Sequence, residues 1–76
     1  MIASWRVEIL GWRQLSVSTQ RSFLRIVGEW RGEWWGEGRA QFDDPSMAAG
    51  CLREIRVEPQ LKQRPVLLQS GDDPRV

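Results

Sequence analysis

At Asp43-Asp44-Pro45 the chain changes its hydrophobic period, and that switch constrains the fold more than any other feature. Ahead of it, from Glu33 to Phe42, side chains alternate: Trp34, Gly36, Gly38, Ala40 and Phe42 fall on one side, Glu33, Trp35, Glu37, Arg39 and Gln41 on the other. That is the pattern of a strand whose two faces meet different surroundings. Beyond it, Met47, Ala48, Cys51, Leu52 and Ile55 recur at three- and four-residue spacing, the pattern of an amphipathic helix. An Asp before a Pro supplies a capping side chain and then a first helical residue whose missing N–H needs no partner. The spacing predicts a helix over Pro45–Ile55 directly after a strand, which places the chain in the α+β class.

Period two also marks Ser4 to Leu10, with Trp5, Val7 and Ile9 opposite Arg6 and Glu8. Gly11 then marks a bend or bulge. Leu15 and Val17, alternating with Ser16 and Ser18, read as a continuation or a short second strand. Phe23 to Trp30 is rich in β-formers and reads as a strand, with Leu24, Ile26 and Trp30 on one face and Phe23, Arg25, Val27 and Glu29 on the other. Arg31-Gly32 would then be a tight hairpin turn or a slightly longer loop. Pro65 followed by Val66, Leu67 and Leu68 suits a last strand at a sheet edge, where a strand-initial proline is tolerated. The expected architecture is a three- or four-stranded antiparallel sheet with one helix on one face, and an SH3-like small β-barrel is the alternative. Residues 1–70 make one small domain and 71–76 a C-terminal tail. Gly36 and Gly38 beside Trp34 suggest a large ring, from Trp30 or Trp5, lying across the gap, and Gly50 allows the helix to approach the sheet.

A chain of 76 residues buries only about 60% of its unfolded surface, so its core is thin. The single cysteine, Cys51, cannot close an intramolecular disulfide, and on the apolar helix face it reads as a buried small hydrophobe. Small domains without such staples commonly recover burial by self-association. The free thiol and the absence of a leader-like or 18-residue apolar run point to a cytoplasmic protein that does not enter membranes.

Absent residues speak to chemistry. The sequence has no histidine, tyrosine or asparagine, which removes the commonest general base, the commonest metal ligand and the phenolic acid. No triad pattern surrounds the serines or Cys51, one thiol without imidazole makes no zinc site, and the pairs Asp43/Asp44 and Asp72/Asp73 lack calcium-loop spacing. They read as a helix cap and part of the tail. The expectation is a non-catalytic protein with no cofactor and no metal.

Five of the aromatic residues are tryptophan, and Trp5-Arg6, Trp12-Arg13 and Trp30-Arg31 repeat one dipeptide. Trp and Arg together serve protein interfaces and single-stranded nucleic-acid grooves, where rings stack on bases and guanidiniums meet phosphates. Local charge favours the first. Glutamates interleave with the arginines from Glu29 to Arg39, and the formal net charge is +1, so no basic patch forms. The leading expectation is a protein-interaction module that binds itself and a further protein, with Glu33, Trp35, Glu37 and Arg39 as contacts on an exposed strand face. The alternative is single-stranded nucleic-acid binding through Trp5, Trp12 and Trp30 with Arg6, Arg13, Arg25 and Arg31. A third reading is a pocket for a small cationic or aromatic ligand lined by Trp34 and the neighbouring glycines.

Overall fold

The computed structural model describes the backbone of residues 3–62 and 65–72, with side chains from Ser4 to Lys62 and at Pro65 and Val66. Strand β1 (Ala3–Ile9) leads through a left-handed Gly11 and a 3₁₀ turn at Trp12–Gln14 into helix α1 (Val17–Glu29). A hairpin of β2 (Glu33–Gly36) and β3 (Arg39–Phe42) follows, then helix α2 (Pro45–Val57) and strand β4 (Val66–Asp72). The open sheet has order β2-β3-β1-β4 with every neighbouring pair antiparallel. This α+β arrangement of two interleaved split β-α-β units has ferredoxin-like connectivity, which hosts many activities and assigns none. The sheet does not close, so the barrel alternative is set aside, and two helices stand where one was expected.

The second helix is the main correction. Phe23–Trp30 lies in α1 and the following turn, not in a strand, and Val17 opens the same helix instead of extending a strand at Leu15. Ser16 caps α1 by accepting the Thr19 N–H at 3.2 Å, which satisfies one of the orphan donors of the first turn. Thr19, Phe23, Ile26 and Val27 are buried at helical spacing, whereas Leu24, expected beside Ile26, is 40% exposed. Arg31-Gly32 follows the Trp30 C-cap of α1 and closes the helix, and is not a hairpin turn. Arg31 adopts a positive φ of 58°, its N–H bonds the Gly28 carbonyl, and the Gly32 N–H reaches back to the Val27 carbonyl at 2.8 Å. That pair of bonds is a Schellman motif.

Glu33–Phe42 is likewise two strands and not one. Glu37 and Gly38 both have positive φ, 51° and 80°, as a two-residue I′-type hairpin turn demands. The face separation read from one continuous strand holds for Glu33, Trp35, Arg39 and Gln41 against Trp34, Ala40 and Phe42, but not for Gly36, which pairs with Arg39, or for Glu37 and Gly38, which form the turn. The tight turn pairs Gly36 with Arg39, and a bulge between Trp34 and Gly36 shifts the register so that Trp34 opposes Ala40 and Glu33 opposes Gln41.

Helix α2 matches its expected start: Asp44 accepts the Ser46 N–H at 2.7 Å, Pro45 occupies the first turn, and the helix runs two residues past Ile55. Both helices lie on the face where Val7, Ile9, Ala40 and Phe42 join Phe23, Ile26, Val27, Ala48, Cys51, Ile55 and Leu61 in one buried cluster. β4 occupies the edge expected of it after Pro65, and runs on through Gly71 and Asp72, two residues that had been read as tail. Residues 73–76 of that tail lie outside the described residues, as does the side chain of Asp72. Among the described residues no helix is long and apolar enough to cross a membrane.

Candidate functional site

With both helices on one face, the other face of the sheet is left open. Cross-strand register places its residues in two rows. Glu33 on β2, Gln41 on β3 and Arg6 on β1 form the first; Arg39 on β3 and Glu8 on β1 form the second, with Trp35 at the bulge of β2 alongside. Arg6, Glu33 and Arg39 are exposed, Glu8 and Gln41 are half-buried, and Ser4 at the end of the face is buried. The Trp35 indole is 48% exposed, and the Arg6 guanidinium carbon sits 5.5 Å from its ring centroid, a cation–π contact.

Two features set this face apart. Among the described residues, none of Arg6, Glu8, Glu33 and Arg39 belongs to a salt bridge. Oε1 of Gln41 is buried and has no hydrogen-bond donor. An unpaired buried amide oxygen costs roughly 1–3 kcal/mol, and most buried polar atoms are paired.

Three of the four expected interface residues, Glu33, Trp35 and Arg39, share this face. Glu37 stands apart at the hairpin tip, where its carboxylate accepts a 2.5 Å bond from the Arg13 guanidinium. That bond, and then the charge of Arg13, holds Glu37 below its ordinary pKa and raises that of Arg13. The alternation had already set Gln41 on the side of Glu33, Trp35 and Arg39, but it was not named as a contact, and Arg6 was placed with the nucleic-acid set; only the register brings the two strands' outward residues into shared rows.

The nucleic-acid set is dispersed. Trp5, Trp12 and Trp30 pack against the core on the helix side. Trp12 meets Phe23 edge-on at 5.5 Å, and Trp30 donates its Nε1–H to Glu54 at 3.0 Å. Arg13 is bound to Glu37, Arg25 bridges Glu29 at 2.6 Å, Glu54 at 3.6 Å and Glu58 at 3.9 Å, and Arg31 closes α1. Of the seven, only Arg6 reaches the open face.

The glycine gap is filled as well, by a ring the sequence did not single out. A Cβ on Gly38 would stand 2.9 Å from the Trp12 ring, so Trp12 crosses there, and not Trp5 or Trp30. Trp34 leans on Trp12 and Phe23 at 5.2 and 6.0 Å. Trp30 lies instead against Gly50, where any Cβ would strike its ring, so that glycine admits Trp30 and not the sheet. Cys51 is buried in the core, and desolvation, with a smaller push from the charge of Glu54, raises its thiol pKa to about 12, which leaves it unreactive at neutral pH. Among the described residues no group of three metal-ligating side chains comes together.

Comparison with protein-family models, curated proteins and solved structures returns no match for this chain.

Proposed function

We propose that this protein is a non-catalytic interaction module that associates with itself through the open face of its sheet. Trp35 supplies the apolar contact, with Glu33 and Arg39 as the charged contacts beside it. One observation carries the reading: a half-exposed indole stands among charges that form no salt bridge among the described residues, on a face that neither helix covers. Trp and Arg are enriched at interface centres because they bury much area and still offer polar handles. A thin core gains from a second layer. The lack of histidine and tyrosine supports a binding role over catalysis, and the free, buried Cys51 thiol supports a reducing, cytoplasmic setting.

Size-exclusion chromatography with light scattering at micromolar concentration, with Trp35→Ala alongside, tests the reading. An oligomer mass for the parent chain and a monomer mass for the folded variant is the expected result. Equal masses above the monomer for both move the interface elsewhere. The nucleic-acid alternative keeps the Trp35–Arg6 pair as its one foothold on the open face. It requires tryptophan quenching by a mixed-sequence single-stranded oligonucleotide that fades steeply with added salt. The small-ligand alternative requires a thermal shift with aromatic cations despite the close packing of Trp34 against Trp12.

A further inference from the structure

We infer that the self-association proposed above, on which this inference rests, is a face-to-face dimer whose twofold axis runs parallel to the strands between β1 and β3. The two rows of the open face lead to this placement. Such an axis keeps each row at its own height and reverses the strand order, so β3 of one copy lies over β1 of the other. Arg39 then faces Glu8 of the second copy, and Glu8 faces its Arg39, because the two residues are register partners within one sheet. In the other row Gln41 faces Arg6 of the second copy, since Arg6 and Gln41 are also register partners.

The first of these meetings supplies something the single chain lacks, because Glu8 and Arg39 are in no salt bridge within the described residues. The Oε1 of Gln41 is buried within its own chain and takes no part in the contact. An axis perpendicular to the strands fails this test, because it keeps each strand over itself and leaves no way to set Glu8 over Arg39. Aligned sheet packing at about 30° between strand directions and about 10 Å between layers accommodates long Arg and Glu side chains in such pairs. A twofold interface is self-complementary by construction, and equal numbers of opposite charges on the face fit that requirement. Trp35 on β2 lies over β4 of the second copy and covers the flank of the interface.

The test uses charge reversal in both directions. Arg39→Glu sets acid against acid across the axis, and Glu8→Arg sets base against base. Each change on its own is expected to weaken self-association by about tenfold or more. Mixing the two variants one to one restores both pairs, because the Arg39→Glu chain then offers two acids to the two bases of the Glu8→Arg chain. Native mass spectrometry of the mixture should show the heterodimer in excess over either homodimer, with circular dichroism confirming that both variants are folded. Homodimers of both variants that survive, or a mixture with no heterodimer preference, overturn the axis placement. If Trp35→Ala still dissociates the parent chain in that case, the open-face reading stands and only the register falls. A parent chain that is monomeric throughout overturns both.

Discussion

The two faces of this sheet are built from the same four strands and obey different rules. On the covered face Val7, Ile9, Ala40 and Phe42 are sealed by α1 and α2, and aromatic rings are wedged against glycines with no room for a methyl group. On the open face, among the described residues, the charges form no salt bridge and a buried amide oxygen has no donor, and the largest side chain is half in water. The difference separates folding from function. Packing determines every choice on the covered face, whereas the isolated fold has no use for the composition of the open one.

The contrast breaks most visibly at Phe42. Phe42→Ala empties the centre of the covered face and should cost about 3–5 kcal/mol, enough to unfold a marginal domain of this size. Urea denaturation followed by tryptophan emission would show it, and a loss under 1 kcal/mol would mean the core is not where Phe42 sits.

Next comes the hairpin. Gly38→Ala combines a φ of +80° with a Cβ 2.9 Å from the Trp12 ring and 3.1 Å from the Ile9 carbonyl, and should destabilise by about 1–3 kcal/mol. Gly36→Ala, with a φ of +92° but open space around the added methyl, should show only the backbone cost of about 1 kcal/mol. Equal effects would rule out Trp12 as the ring over Gly38.

The open face should behave oppositely. Trp35→Ala is expected to change the stability of the isolated chain by no more than about 1 kcal/mol, the size of an exposed cation–π contact, when unfolding is measured at nanomolar concentration. A larger loss would make Trp35 a folding residue and remove the distinction between the faces.

Two titrations are smaller still. Cys51 ionises at 9.0 when unperturbed and near 12 in the fold. The raised value means its contribution to stability is intact below pH 9 and declines as pH rises from there toward 12. A thiol reagent at pH 8 should therefore modify the unfolded chain and spare the native one. Glu37 has the opposite sign: held below its ordinary value by Arg13, its pairing supports the hairpin at neutral pH and is lost as pH falls through the depressed value. Arg13→Ala should remove most of that acid-side decline, with Arg39 keeping a remnant, and should lower neutral stability only by the same small amount, because the pair lies at the surface.

Much of this was legible in the residues, and the misses share one physical cause. Asp44-Pro45 announces a helix start by local chemistry alone, and α2 begins there. The alternation of Glu33 to Phe42 marked which side chains face water even though the chain turns back within it, because the bulge at Trp35 offsets the change of parity at the Glu37-Gly38 turn. Phe23 to Trp30 misled because its residue types favour strands. Phe23, Ile26, Val27 and Trp30 also fit helical spacing, and the Ser16 cap with the Arg31-Gly32 stop decides between them. Tertiary packing overrides β propensity in such a segment. The unpaired oxygen of Gln41 was not legible at all, since it exists only once neighbouring strands are in register.

Sedimentation equilibrium of the parent chain and Trp35→Ala, across a dilution series from the high micromolar to the nanomolar range, tests the open face most directly. Self-association through that face predicts a parent mass that falls from dimer to monomer on dilution, and a Trp35→Ala mass that is monomeric over most of the same range. A parent chain that stays monomeric throughout, or a variant that dimerises as tightly as the parent, would contradict it.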